Sequence, residues 1–297
     1  MTDGGTVNLS EYAASHGLKR VGARPPFFSY LREVWRRRVF AWTLSTYTSE
    51  AANARTRLGR WWLILLPTIQ AGTYGLIFGL ILGSNRPHNF LAFLFTGVFL
   101  FSFMSGAFQS GASSIVGNAG LVRSLSFPRI LLPISSVIQQ FINLWAQLAL
   151  LLVTLLVTAF DFANLSWQNP IDLDWALFPV VVLLMVLFCS GLAMIAARIN
   201  AQARDLGKLI PFITRIAFYV SGVFFSLESV LAAWPTVLAI FEFNPFYDFI
   251  QLSRGLLVQG YEPSAKLWIL CIGWAVITPI VGALYFWKAE EVYGRDD

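Results

Sequence analysis

The chain has 297 residues, of which 57% are apolar and 12% charged, with a formal net charge of +5. The apolar residues gather into runs of about 20, the length a helix needs to cross a ~30 Å hydrocarbon core. These runs lack the alternation of barrel strands, so the composition excludes an ordinary water-soluble enzyme and predicts an all-α polytopic membrane protein.

Residues 1–26 mix small and polar side chains without periodicity and read as a mobile N-terminal tail. Residues 27–60 form a predicted amphipathic helix and connector. Phe27, Leu31, Val34, Trp35, Val39 and Trp42 recur at helical spacing, while Arg32, Arg36 and Arg37 fall on the other side. Such a helix suits the plane of the lipid headgroups. Its arginines are candidates for receiving a headgroup or a diphosphate, or for nonspecific attraction to anionic lipid. Residues 61–288 form the transmembrane domain, with six expected spans at 61–83, 90–117, 129–160, 175–199, 209–226 and 265–288. The fifth contains Arg215. The stretch 227–258 is broken by Pro235 and Pro245 and carries Glu242, Asp248 and Arg254, so it is expected to dip into the membrane or lie on its outer face. Residues 289–297 are a short tail.

Orientation follows from the excess of Lys and Arg in short cytoplasmic segments. Basic residues crowd before span one, and Arg123, Arg129, Arg198, Arg204, Lys208 and Lys288 mark the same side. The segment 161–174 carries Asp161, Asp172 and Asp174 and no positive charge. Both termini are therefore expected in the cytoplasm, with the chain in a bacterial inner membrane. The basic balance reports orientation rather than nucleic-acid binding. No signal peptide is expected, because about 60 largely polar residues precede the first apolar run.

The motifs narrow the chemistry. Gly207-Lys208 lacks the glycine and the Ser or Thr of a phosphate-binding loop. His16 and His88 have no partner at metal-ligand spacing, so no metal site and no catalytic group is assigned. Cys189 and Cys271 read as buried thiols. Spans two and three instead carry neutral polar stripes: Ser102, Ser105, Gly106, Gln109, Ser110 and Ser113 in one, and Gln139, Asn143 and Gln147 in the other. Either stripe serves helix–helix packing or lines a path for a hydroxyl-rich cargo. Phe99 and Phe103 join the lining candidates, because aromatic rings stack on sugar faces as readily as they fill cores.

Between spans two and three lies NAGLVRSLSFPRILLP, a cationic element bounded by Pro128 and Pro133. It offers Leu121, Val122, Leu125 and Phe127 as apolar anchors and Arg123 and Arg129 for carboxylates. Together with Leu58-Gly59-Arg60-Trp61-Trp62 through Pro67, and with Asn244-Pro245-Phe246 followed by Arg254-Gly255-Leu256-Leu257, this segment resembles the permease subunits of ABC-2-type polysaccharide exporters, the family of O-antigen, capsule and teichoic-acid exporters. The arginine-tyrosine pair usual upstream of Leu58 is absent. The long N-terminal extension and the wealth of Trp and Phe resemble the actinobacterial branch that exports lipid-linked galactan.

The resemblance implies a homodimer of six-span permeases with two cytoplasmic ATP-binding subunits and a polyprenyl-diphosphate-linked glycan as cargo. This chain itself would bind no cofactor, ATP and Mg being held by the partner. It also implies that Asn118, Leu121, Val122, Arg123, Leu125, Phe127, Pro128 and Arg129 belong to a coupling helix docked on the ATPase. Two short re-entrant helices are implied for 227–258, with Asn244, Pro245 and Arg254 as outer-gate candidates. A small-molecule exporter of the same architecture is the alternative. A membrane-embedded glycosyltransferase is a second rival and would need acidic catalytic residues that Asp205 alone does not supply.

Overall fold

A computed structural model describes residues 25–54, 57–83, 86–161, 166–167, 173–291 and 293. The expected N-terminal tail, apart from Pro25 and Pro26, and most of the loop 161–174 lie outside the described residues. Twelve helices follow one another among those described: α1 Phe27–Arg36, α2 Arg38–Ala54, α3 Trp62–Leu82, α4 Phe90–Gly117, α5 Ala119–Ser124, α6 Leu131–Ala159, α7 Phe178–Gln202, α8 Ile210–Val220, α9 Leu227–Val230, α10 Pro235–Phe241, α11 Pro245–Leu257 and α12 Ala265–Lys288. The non-helical exception is a two-residue ladder that pairs Phe160 with Trp167.

Among the described residues five helices are long and apolar enough to cross a membrane: α3, α4, α6, α12, and α7 with the 3-10 turn preceding it. The expected fifth span differs. Its helix, α8, has 11 residues, about 16 Å at 1.5 Å per residue. It ends at Ser221, because Gly222 takes a left-handed φ of +58° that side chains disfavour. The stretch 227–258 was expected to dip into the membrane or lie on its outer face. It folds into α9, α10 and α11, and α11 is enclosed on every side, with each residue from Tyr247 to Leu257 buried. Pro245 opens α11 and the Asn244 carboxamide accepts from the Phe246 backbone N–H at 3.1 Å, a proline-and-cap start that needs no tertiary help.

At the centre stands α4, packed against α6 and α7 and also touching α3 and α11. The closest pairing is between α7 and α12, where two glycines face each other. A Cβ on Gly191 would stand 2.2 Å from the Thr278 carbonyl carbon, and one on Gly282 2.5 Å from the Gly191 oxygen. Without a hydrophobic drive inside lipid, close backbone approach of this kind supplies the packing energy.

The helices are not level with one another. Leu63, at the start of α3, lies beside Gln147 in the middle of α6, with Nε2 of Gln147 at 3.5 Å from its carbonyl. Gly79 near the other end of α3 faces the Phe90 ring at the start of α4. The lower parts of α4 and α6, paired where Gly106 faces Gln140, therefore continue past the start of α3 by about a dozen residues, roughly 18 Å. The sequence agrees. Phe90–Phe108 is apolar, but QSGASSIVG follows, and the Leu-rich 144–159 is preceded by PISSVIQQFIN. The 21 residues of α3 span about 31 Å, which matches the hydrocarbon thickness, so α4 and α6 emerge from it as a stalk.

The amphipathic helix and connector expected over 27–60 fold, among the described residues, as two helices in succession. α1 stops at Arg37, and α2 runs along α6, where Ser49 Oγ donates to Asn143 Oδ1 at 3.1 Å.

Candidate functional site: a foot beneath the stalk and a polar groove above it

The stalk ends in a compact foot built from three distant parts of the sequence. Asn118 closes α4 by donating from Nδ2 to the Ser114 carbonyl at 2.8 Å, and its own carbonyl starts α5 by accepting from Val122 N at 3.0 Å. Val122 is buried, and Leu121 and Phe127 pack onto the same apolar cluster as Tyr30, Ile130, Phe286 and Tyr293. Phe127 also meets Phe40 of α2, with ring centroids 5.1 Å apart. Of the expected apolar anchors only Leu125 is left turned outward, 52% exposed. Arg123 is exposed beside it.

Arg129 does not face outward as a docking cation. Its backbone N–H donates to Glu290 Oε1 at 2.9 Å and its guanidinium to the Glu290 carbonyl. The other carboxylate oxygen, Oε2, accepts from the Tyr30 hydroxyl at 2.8 Å, and that hydroxyl accepts from Ile130 N at 3.3 Å. One buried carboxylate thus joins α1, the α5–α6 segment and the chain after α12. Burial pushes the Glu290 carboxyl above its usual range, with the hydrogen bonds from Arg129 and Tyr30 opposing that shift. Burial and the adjacent carboxylate push the Tyr30 phenol far upward, so it stays a donor. Around this junction lies a cleft of about 410 Å³ lined in part by Glu33, Arg37, Leu125, Pro128 and Glu290.

The headgroup candidates divide. Arg32 is exposed, and Arg36 is exposed while pairing with Glu33 at 3.3 Å. Arg37 turns back onto the foot, pairing with Glu33 and donating to the Ser126 carbonyl at 2.7 Å.

The lining candidates also separate. Phe99 and Phe103 are 0% and 2% exposed inside the central cluster, so they fill the core and offer no surface to a path. Gln147 is buried against α3 with its Oε1 unpartnered, Asn143 faces α2, and Gln139 lies on the stalk beyond the apolar part of α6. Ser102 and Gln109 do line an open groove of about 350 Å³ between α3, α4 and α8, together with Gln70, Tyr74 and Arg215. Gln70 and Tyr74 stand four apart on α3, a polar spacing already written in the sequence. The hydrophobicity of α3 all round hid them.

The outer-gate candidates form a clamp. Arg254 is 0% exposed. It donates to the carbonyls of Gly222 at 2.9 Å, Val223 at 2.7 Å and Phe93 at 3.1 Å, and stands over the Phe93 ring at 3.3 Å. Asn244 donates to Ser221 Oγ at 3.0 Å. Arg254 therefore fastens α11 to the start of α4 and to the turn after α8. Tyr30 and Glu290 escaped sequence reasoning because neither belongs to a motif and they stand 260 residues apart.

Residues 46–258 match the family model described as ABC-2 type transporter. The O-antigen export system permease protein RfbA of Myxococcus xanthus is 30% identical over 267 residues, covering 89% of this chain and 94% of that protein. Two proteins of the same name from Klebsiella pneumoniae are 24% and 25% identical, each across 78% of this chain and 85% of its own length.

Proposed function

The chain belongs to the ABC-2 type transporter family, and from that membership we propose that it is the permease of an ATP-driven exporter carrying a polyprenyl-diphosphate-linked polysaccharide, of O-antigen or galactan type, across the bacterial inner membrane. It is a multi-pass membrane protein and a transport component. The observation that carries the cargo reading is the groove of Ser102, Gln109, Gln70, Tyr74 and Arg215, in a chain similar over most of its length to O-antigen export permeases. Hydroxyl, amide and phenol groups suit a hydroxyl-rich polymer, and the exposed Arg215 suits its diphosphate.

In this reading both termini and the foot are cytoplasmic. A second copy of the chain closes the groove into a path, and two ATP-binding subunits dock at Leu125 and Arg123. The sixth crossing is made in pieces. The chain leaves α7 at the foot end and begins α12 at the opposite end, so residues 203–264 must cross between them, through α8 and the buried α11. ATP-driven closure of the partner would move the foot, and through the stalk shift the populations of closed and open path. A small-molecule exporter is the second reading, favoured by an apolar cleft of about 470 Å³ between α6 and α7. Stimulation of ATPase activity by drugs but not by lipid-linked glycan would select it.

The test of the main reading is depletion of the chain in its bacterium. Lipid-linked polymer should accumulate on the cytoplasmic face with synthesis intact. Loss of polymer synthesis, or export that continues unchanged, would overturn the assignment.

A further inference from the structure

We propose that the Asp248 carboxyl is a proton-operated latch between α11 and α12. Protonated, it holds the two helices together; ionised, it lets α11 part from α12. The inference stands on packing geometry and does not depend on the exporter reading.

Asp248 sits in the first turn of α11 and is 0% exposed. One of its oxygens is served. Oδ2 accepts from the indole N–H of Trp274 on α12 at 3.1 Å, and that indole packs edge-on against the Phe243 ring, with centroids 5.1 Å apart. The other oxygen, Oδ1, has no hydrogen-bond partner among the described residues. A carboxylate carries lone pairs to satisfy on both oxygens. Burying it with one oxygen bare costs far more than burying the neutral acid. The first turn of a helix favours negative charge only modestly, and no N–H of that turn reaches Oδ1. The closed packing therefore selects the protonated form, and loss of the proton works against the contact between α11 and α12.

The surroundings leave this balance in place. α11 packs on α12, α4, α7 and the turn Leu173–Leu177. Lys266 of α12 favours ionisation of Asp248, and Glu242, just after α10, opposes it. These two pair with each other at 2.6 Å, so their fields largely cancel at the carboxyl. α12 also brings the buried Cys271 thiol beside it. α4 carries no ionisable side chain. Cys189 and Arg198 of α7 and Asp174 of the turn are not among the groups that act on it. On α11 itself, the Tyr247 hydroxyl donates to Glu228 and Arg254 to backbone carbonyls. Glu242 and Lys266 line an outer cleft of about 240 Å³, which gives the proton its way out. Parting of α11 from α12 would free the helix that Arg254 ties to α4 and to the turn after α8, so the outer side loosens while the foot is untouched.

The purified full-length permease, in nanodiscs without nucleotide or glycan, would be followed by hydrogen–deuterium exchange over residues 245–257 from about pH 4.5 to 8.5. Asp248→Asn supplies a form that stays neutral, and comparison at equal pH cancels the chemical pH dependence of exchange. An aspartate released to solvent ionises near about pH 4. The latch is thus fullest below that value and is lost as pH rises, until the closed form itself ionises. The ratio of wild-type to variant exchange should climb with pH, towards about tenfold per pH unit, the limit for one proton, and then level off. A constant or falling ratio would overturn the proposal.

Two further measurements keep the latch falsifiable if Asp248→Asn does not fold. In wild type alone, protection of 245–257, corrected for the chemical exchange rate, should fall with pH while that of 178–202 holds. Parallel behaviour of the two helices would count against the latch. Glu242→Gln combined with Lys266→Gln should keep the same fall, and its loss would assign the proton to that pair instead of Asp248.

Discussion

Arg254 is the side chain that ties α11 to the start of α4 and to the turn after α8. Three backbone carbonyls from two segments accept from it, and each such group left buried and unpaired costs about 1–3 kcal/mol. Arg254→Leu should therefore abolish the cooperative thermal unfolding of the purified permease or lower its midpoint sharply. Arg254→Lys should recover only part of the loss, since an ammonium cannot reproduce the planar fork. Glu290 poses the opposite problem, a carboxylate held where charge is disfavoured. Because folding raises its pKa above the usual 4.5, its contribution to stability is fullest below about pH 4.5 and is lost as pH climbs through the raised value. The Glu290→Gln variant lacks that titration. Its unfolding midpoint, measured against wild type from pH 4.5 upward, should gain steadily as pH rises. A constant difference across the window would show that the carboxylate is not strained by burial.

Among the elements, α5 shows how packing sorts a motif. Its six residues are too few to hold a helix alone, and it exists because Val122 and Leu121 pack beneath α4 and α6. That leaves Leu125 as the outward apolar group. Leu125→Asp should reduce co-purification of ATP-binding subunits by about tenfold, the scale of losing one buried apolar contact, while the mass of the membrane assembly stays the same. Undiminished co-purification would remove α5 from the docking surface. Leu121→Asp is the poorer probe, because it also breaks the foot. Much of this region was legible in the residues: the basic segment between spans, its prolines and the amphipathic pattern. The inward turn of Arg129 was not, because an arginine beside a proline reads the same whether it meets a partner's carboxylate or Glu290 from the far end of the chain.

At the scale of the whole molecule, α4 and α6 carry the foot roughly 18 Å beyond the start of α3, and under the proposed function a displacement of the foot would reach the groove between α3, α4 and α8 through them. Ser102 lies in that groove and is partly exposed. Ser102→Trp should fill part of it, stopping export while ATP-binding subunits still co-purify. Export at the wild-type rate, measured as surface polymer, would show that cargo travels elsewhere.

From residue order alone came the membrane class, the helical fold, the apolar runs and the family, because hydrophobic length, charge asymmetry and local motifs are written along the chain. The spans expected at 90–117 and 129–160 ran on through QSGASSIVG and PISSVIQQFIN, so the polar step along α4 and α6 went unmarked. Which polar residues face a path, and which face a neighbouring helix, depended on packing. Phe99 and Gln109 share one helix yet part company, one sealed in the core and one open to a groove, because α6, α7 and α8 cover different sides of it. The clamp of Arg254 and the junction at Glu290 likewise exist only when distant segments meet, since a buried charge is tolerable only where the fold brings partners to it.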